Sequence, residues 1–567
     1  MKKILALTFS GWLAMIGLAA DSGAQANKIE LPPRVGVDGE KNLLLSEAIE
    51  MALSNNKDIE SSRIDRQVAR FTLGAARGAY DLKFSIQSPF VRSITPMASV
   101  LGGAADGKLL QRETSIVPQL NGGIPWTGGS FGLNFSSKRT TTNNSFATLN
   151  PQYPTSLTFS FSQPLLRGLR FDSNRQRIEV ARKNVALSDE QFRQRVTDIV
   201  TQTAKSYWDL AFAVQNLDVQ RVAAETAKRQ VESNRRMVEQ GMMAAMDIVE
   251  AETQMAQFEQ NAYIAQASLT AAENSLKTLI LPDRNSPLWA SKLIPVTEPE
   301  TAPPEMLLAD AIKDALANRP ELEGLKIAAD VSKTNLRYYR DQTKPQIDLV
   351  ASYMSSGLAG VVRTSSGSNP ITGAFPVIID RLNQISASQN LPLIDLGSMG
   401  SASGSSGIPG ALIGGYGDSL SNLSGWGYPT AQVSLQFSLP LRNRTAENNL
   451  AMGLAEVRRS DVRRKQAEQQ IEADVRNAAQ LLISYKNGLE AARTARRLAQ
   501  EQYASEQRKF QAGTSTLFLV LQRQTTLVAI QSSELRAQVE LAKSIAEFER
   551  ATARTLKSHN VVLQQVK

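Results

Sequence analysis

The chain has no cysteine and a single histidine, His559, in 567 residues. Disulfides are excluded, and so are cysteine nucleophiles and ordinary zinc sites built from Cys and His. His559 stands near the C-terminus with no convincing serine partner, so no nucleophile can be matched to a base. Carboxylate pairs such as Glu47 and Glu50 have helical spacing on charged faces. The expectation is therefore not an enzyme, with no cofactor. Aromatic residues make up 6% of the chain, and the net charge of +9 is interspersed, as in SDVRRKQAEQQIEADVR. A nucleic-acid surface gathers basic residues in a stripe with aromatics between them. None is seen here, and the charges read as solvated helix faces, with no nucleic acid as partner.

Long apolar runs are scarce too. The one clear run is Ile4 to Ala20, preceded by Lys2 and Lys3 and followed by Ala24-Gln25-Ala26. That is the layout of a secretory signal, with cleavage expected after Ala26. No cysteine follows it to carry a lipid. Nor does any later apolar run reach the 18 residues a spanning helix needs. An exported chain of this kind enters a membrane only as strands of a closed barrel.

Proline and glycine are missing from two long stretches. Asn174 to Met237 has neither, and Thr445 to Phe510 has only Gly453 and Gly488. About 60 residues of helix span roughly 90 Å, too long for a compact globule. Leu210, Leu217, Ala224, Val231 and Val238 recur every seven residues. So do Leu482, Leu489, Tyr503 and Phe510, with Arg496 interrupting. Such seams predict supercoiled helix packing. Each long helix stops at a glycine, in EQGMM at Gly241 and QAGTS at Gly513, a residue suited to the left-handed helix end. A second helix then returns, over Asp247–Leu279 and Leu517–Leu556.

What is present is a duplication. LSEAIEMALSNNKDIE, from Leu45, recurs as LADAIKDALANRPELE, from Leu308. YPTSLTFSFSQPLLRG recurs as YPTAQVSLQFSLPLRN. Leu210, Leu217, Ala223, Ala227, Gln230 and Gly241 match Leu482, Leu489, Ala495, Ala499, Gln502 and Gly513 without gaps. Each half reads helix, strand, loop, strand, long helix, turn, long helix. The prolines of residues 282–304 mark a non-helical linker between the halves.

Leu157, Phe159 and Phe161 alternate with polar residues, as do Val433, Leu435, Phe437 and Leu439. Phe84 and Ile86, and Ile347 and Leu349, start shorter runs of the same kind. Period two gives one apolar and one polar face, which fits a soluble sandwich or a membrane barrel. Long Gly/Ser/Thr/Asn-rich connections at 93–130, 138–152 and 355–426 favour the barrel. Phe131, Leu133 and Phe135 alternate as well, as an extra strand or as an extension of the membrane hairpin. The closely spaced glycines of 397–427 lack the Lys and helix start of a phosphate loop and read as flexible loop. Two strands per half make four, and the smallest membrane barrels have about eight, so several chains must share one barrel. Strand number does not choose between two chains and three.

The paired LSEAI and LADAI openings, the strand signature FSQPLLRG and the two glycine-centred tips together resemble the TolC family of outer-membrane efflux proteins. The resemblance covers nearly the whole mature chain. It implies a mainly α fold with membrane β: a duplicated helix-strand-strand-helix-helix unit, three copies forming a twelve-stranded barrel continued by a twelve-helix coiled-coil periplasmic tunnel. Implied partners are two further copies in a homotrimer, outer-membrane lipid, a periplasmic adaptor (membrane fusion protein) and an inner-membrane pump. The tips become docking candidates for the adaptor: Gly241, Met242, Met243, Gly513, Thr514 and Ser515. Family members often carry acidic residues just after the second tip, where the tunnel narrows. Here Leu519 and Gln522 occupy those places, and Asp247 and Glu250 the equivalent places of the first half. The expected constriction therefore has an apolar, amide-bearing part.

The expected layout is a signal at 1–26, a first repeat at 27–281, a linker at 282–304, a second repeat at 305–557 and a tail at 558–567. Strands are expected at about 83–165 and 346–441, and helical hairpins at about 174–281 and 445–557. The functional expectation is the passive exit duct of a tripartite efflux or type I secretion system. The alternatives are a non-conducting coiled-coil structural or adhesive protein, or the adaptor itself, which has one helical hairpin and no paired membrane strands.

Overall fold

A computed structural model describes residues 31–98, 107–299, 307–363, 374–389, 391–394 and 408–562. The signal at 1–26, part of the linker and the Gly/Ser stretch 395–407 lie outside the described residues. The chain divides into two compact units. One comprises 70–183 and 329–459. The other comprises 1–69, 184–328 and 460–567.

The first of these units is a sheet. Its strands are β2 (Lys83–Gln87), β3 (Phe90–Pro96), β4 (Lys108–Gly123), β5 (Ser130–Thr142), β6 (Leu149–Pro164), β8 (Gln346–Val362) and β9 (Pro429–Ser438). The order is β2-β4-β5-β6-β8-β9, with β3 also on β4, and every pairing is antiparallel. The second half meets the expected two strands with β8 and β9. The first half differs, because residues read as loop, 93–130 and 138–152, supply β4 and the ends of β3, β5 and β6. Phe131, Leu133 and Phe135 thus lie in an added strand. The sheet has six positions per chain, β2 and β3 sharing one. The β4 sequence hid this, because its one apolar face is short and its other face is polar (Gln111, Glu113, Ser115, Gln119).

Register places the apolar residues on one face. Phe84, Leu120, Leu133, Phe159 and Tyr353 lie in successive cross-strand partnership. Phe131, Phe161, Ala351 and Val433 form the next row. The alternate residues, such as Ser160, Ser352 and Gln432, are polar. Two helices lie within the connection read as loop, α7 (Ala374–Ser388) and the short α8 (Tyr416–Ser424), and the latter packs against β8 and β6. A Cβ on Gly357 would fall 2.2 Å from the Ser419 carbonyl oxygen, so only glycine admits this approach.

The other unit is helical. Helix α1 (Leu45–Asn55) leads into α2 (Lys57–Arg77), and their counterparts are α5 (Leu308–Asn318) and α6 (Pro320–Gln342). The long helices are α3 (Ser173–Glu239) and α9 (Arg444–Gln511), of 67 and 68 residues. The returning helices are α4 (Ala245–Ile280) and α10 (Leu517–Ala551). Four of these, α2, α3, α6 and α9, contribute segments to both units. The second returning helix stops short of Leu556, because Ala553 takes a left-handed φ of 58° and a separate turn, Thr555–Ser558, follows. The linker forms strand β7 (Ser291–Pro295), parallel to β1 (Gly39–Leu43). Tyr207, fully buried, donates to the Leu43 carbonyl at 2.9 Å and accepts from Thr297 N at 3.0 Å, tying both strands to α3.

The seven-residue seam of α3 runs through successive cores. Leu210 lies in a large cluster with Ile199, Leu276, Val539 and Ala542. Ala224 packs with Phe258 and Val528. Val231 packs with Ala251, Leu517 and Leu521. Two ion pairs stitch the repeats alongside, Lys205–Glu547 at 2.5 Å and Lys543–Asp209 at 2.9 Å. Arg496, which interrupts the second seam, pairs with Glu534 at 3.0 Å.

Candidate functional site

The first tip is built by a helix stop. Gly241 has φ +73°; its N–H donates to Val238 O at 2.9 Å, and Met242 N donates to Met237 O at 2.9 Å. These are the two bonds of a Schellman end, which satisfy carbonyls the helix leaves open. Met243 turns inward against the cluster of Val231 and Leu517. Met242 faces solvent at 69% exposure, joined by Met246 at 77% and Val249 on the first turns of α4.

The second tip repeats the geometry with added polar bracing. Gly513 has φ +75°, Gly513 N donates to Phe510 O at 3.0 Å and Thr514 N to Lys509 O at 2.9 Å. The Thr514 hydroxyl also donates to Lys509 O at 3.1 Å. Ser515 donates to Glu506 on the preceding helix. That bond holds the Glu506 carboxyl below its ordinary range; slight desolvation opposes it, and Lys509 and Arg523 add to it. Thr516 caps α10 by accepting from Leu519 N at 3.5 Å. Leu517 and Leu521 are buried against the first tip's Val231 and Ala251, so one small core holds both tips.

The four residues expected at the narrowing divide between two helices. Asp247 and Glu250 are half-buried on the first turns of α4. Leu519 is half-buried and Gln522 exposed on α10. No hydrogen bond or ion pair joins the two sets among the described residues. Several residues at the tips escaped the sequence reading: Met246, Val249, Phe518, Thr516 and Glu506. Thr516, a hydroxyl residue just before an apolar helical run, had a legible cap signal. Glu506 had none, since its partner lies nine residues on.

The sheet is the second functional element, separate from the tips. Its apolar face is open: Phe84, Ile86, Phe90, Val433, Leu435 and Phe437 are all at least 60% exposed. Both edges, β2/β3 and β9, pair on one side only. No helix among the described residues is long and apolar enough to cross a membrane. No group of His, Cys, Asp and Glu among them could hold a metal ion.

A family model described as outer membrane efflux protein matches residues 130–280 and 311–554, well over half of the chain. The chain belongs to the outer membrane efflux protein family. The TolC resemblance of the sequence is thereby borne out, and with it the outer-membrane location and a helical part in the periplasm. The alkaline protease secretion protein AprF of Pseudomonas aeruginosa is 27% identical over 197 residues, 34% of this chain and 39% of that protein. The chain thus spans about two fifths of that relative's length. Among solved structures, a membrane protein from Pseudomonas aeruginosa superposes with a TM-score of 0.61 at 14% identity, covering 90% of this chain and 93% of that one. The CmeC outer membrane channel of Campylobacter jejuni gives 0.59 at 13% identity, covering 92% and 90%. The open state of the MtrE outer membrane channel of Neisseria gonorrhoeae gives 0.56 at 16%, covering 94% and 95%. At these identities the likeness establishes the fold, that of TolC-type channels. The family is one of channel proteins rather than enzymes.

Proposed function

We propose that this protein is the passive outer-membrane exit duct of a tripartite efflux or type I secretion system. The observation that carries the reading is the sheet: one face apolar and open, the other polar, both edges unsatisfied. An exposed apolar face of this extent is unstable in water and stable in lipid, while the polar face lines an aqueous lumen. Open edges are closed in a barrel by neighbouring copies.

Three copies related by rotation form the wall, β9 of one beside β2/β3 of the next. Four positions per chain would give twelve strands; the hairpin of β4 and β5 offers two more per chain. Residues 27–281 and 305–557 act as the two repeats. The tips at Gly241, Met242, Met243, Gly513, Thr514 and Ser515 take the adaptor, and Asp247, Glu250, Leu519 and Gln522 border the narrowing. An inner-membrane pump supplies the energy; the duct itself performs no chemistry. AprF, named for alkaline protease secretion, makes an exported polypeptide one candidate cargo class.

Edge closure is tested by disulfide crosslinking, with no native thiol to interfere. Cysteines on β9 and on β2 in one chain should yield a crosslinked ladder ending at three copies in membranes. A chain that stays monomeric contradicts the shared wall.

A further inference from the structure

We propose that Arg92, Arg112 and Arg139 form a site for the phosphates of an outer-leaflet glycolipid, the lipopolysaccharide class, on the lipid-facing side of the barrel. The proposal rests on the reading of the sheet as a membrane wall.

Register carries the assignment. Arg92 on β3 is the direct cross-strand partner of Arg112 on β4. Arg139 on β5 is the partner of Thr114, and so is diagonal to Arg112. Directly opposed residues lie about 5 Å apart and diagonal ones about 7–8 Å, within reach of one doubly charged group. All three belong to the apolar face. Along β4 the same side carries Leu120, Ile116, Thr114 and then Arg112, and along β5 it carries Phe131, Leu133, Phe135 and then Arg139.

Arg112 lies eight residues from Leu120, about 27 Å along a strand, or roughly 20 Å of height at barrel tilt. The apolar band of such barrels is about 25 Å tall, so the cluster stands at its rim. The rim is the outward one, because the opposite strand ends lead into the helices. Phe90, exposed two residues to the membrane side of Arg92, offers apolar contact to acyl chains.

Three like charges side by side repel, and some anion must offset this. None is supplied locally: all three arginines are exposed, and none makes a side-chain hydrogen bond or ion pair among the described residues. Glu113 and Asp348 are the carboxylates of the described sheet strands, and register puts both on the polar face. There Lys138 is paired with Glu113 at 2.8 Å. Lys138 on the water side is thus matched, while the three arginines on the lipid side are not. A guanidinium fork binds phosphate through paired hydrogen bonds, and the phosphates of an outer-leaflet glycolipid sit at this height.

The test uses the purified full-length oligomer in detergent, titrated with bisphosphorylated lipid A and read by native mass spectrometry. Wild-type protein should bind it, the R92Q/R112Q/R139Q variant at least tenfold more weakly, and the R92K/R112K/R139K variant in between. Lipid A stripped of phosphate should bind poorly, and soluble pyrophosphate should not compete. Equal binding by the glutamine variant, or by the stripped lipid, overturns the site. Full competition by pyrophosphate overturns the lipid assignment in favour of a soluble anion. If the triple variant does not assemble, R112Q carries the test, with a several-fold loss expected and unchanged binding contradicting the proposal. Wild-type protein that never enters bilayers would instead contradict the membrane wall itself.

Discussion

Gly241 and Gly513 adopt the same left-handed conformation, φ +73° and +75°, at corresponding ends of the two long helices. A Cβ on either would meet nothing within 4 Å. Backbone strain is therefore the whole cost of a side chain there. Gly241→Ala and Gly513→Ala should each destabilise their tip by about 1–2 kcal/mol, the ordinary cost of placing an L-residue in that region. Hydrogen exchange at Met242 and Thr514 would report it as faster local opening, with the global melting temperature nearly unchanged.

The proposed docking at the tips would have a chemical handle in Met242, Met246 and Phe518, which are exposed apolar side chains. Replacing Met242 and Met246 by Asp should weaken adaptor binding at least tenfold in a pull-down or surface-binding assay. Insertion and oligomer formation should be unaffected, since neither side chain packs inward.

At the proposed narrowing, Leu519→Ala should raise single-channel conductance by removing apolar bulk. An unchanged conductance in that variant, together with altered cation block in Asp247→Ala, would contradict the apolar, amide-bearing constriction.

Glu273 is fully buried; it forms an ion pair with Lys277 at 2.8 Å and accepts from Leu293 N at 3.2 Å and from Arg34. Lys277, also buried, donates to Trp289 O at 2.9 Å. The cluster pins β7 and the N-terminal segment to α4. Glu273→Ala leaves a buried cation without its partner, which typically costs about 3–5 kcal/mol. Chemical denaturation of the wild type and this variant measures the difference.

Glu547 gives a pH signature. Burial alone would raise its carboxyl, but hydrogen bonds from Arg550 and Lys205 outweigh this and hold it below the ordinary carboxylate value. The folded value is depressed, so the stabilisation is fully present above the unfolded value and is lost as pH falls through the folded one. The melting-temperature gap between wild type and Glu547→Gln should be constant near neutrality and close as the pH falls through and below the ordinary carboxylate range.

The long helices were legible because their determinants are local and repeated: absence of Pro and Gly, a seven-residue seam, a glycine stop. The strands of β6 and β9 were legible through clean alternation. β4 was not, because a water-lined barrel wall needs only a few apolar residues on one face, and Gln, Glu and Ser on the other mimic a loop. The placement of α8 was hidden too, since Gly357 looks like any loop glycine until Ser419 lies against it. At the tips the glycines stood out, whereas the Ser515–Glu506 brace depends on how the chain folds back and has no linear signal. The arginine cluster also requires register, which brings residues 92, 112 and 139 onto one face.

Planar-bilayer recording of the purified full-length protein tests the duct most directly. The account predicts stepwise, lasting ion currents with no pump, adaptor or nucleotide present. A water-soluble protein that leaves the bilayer silent would contradict it.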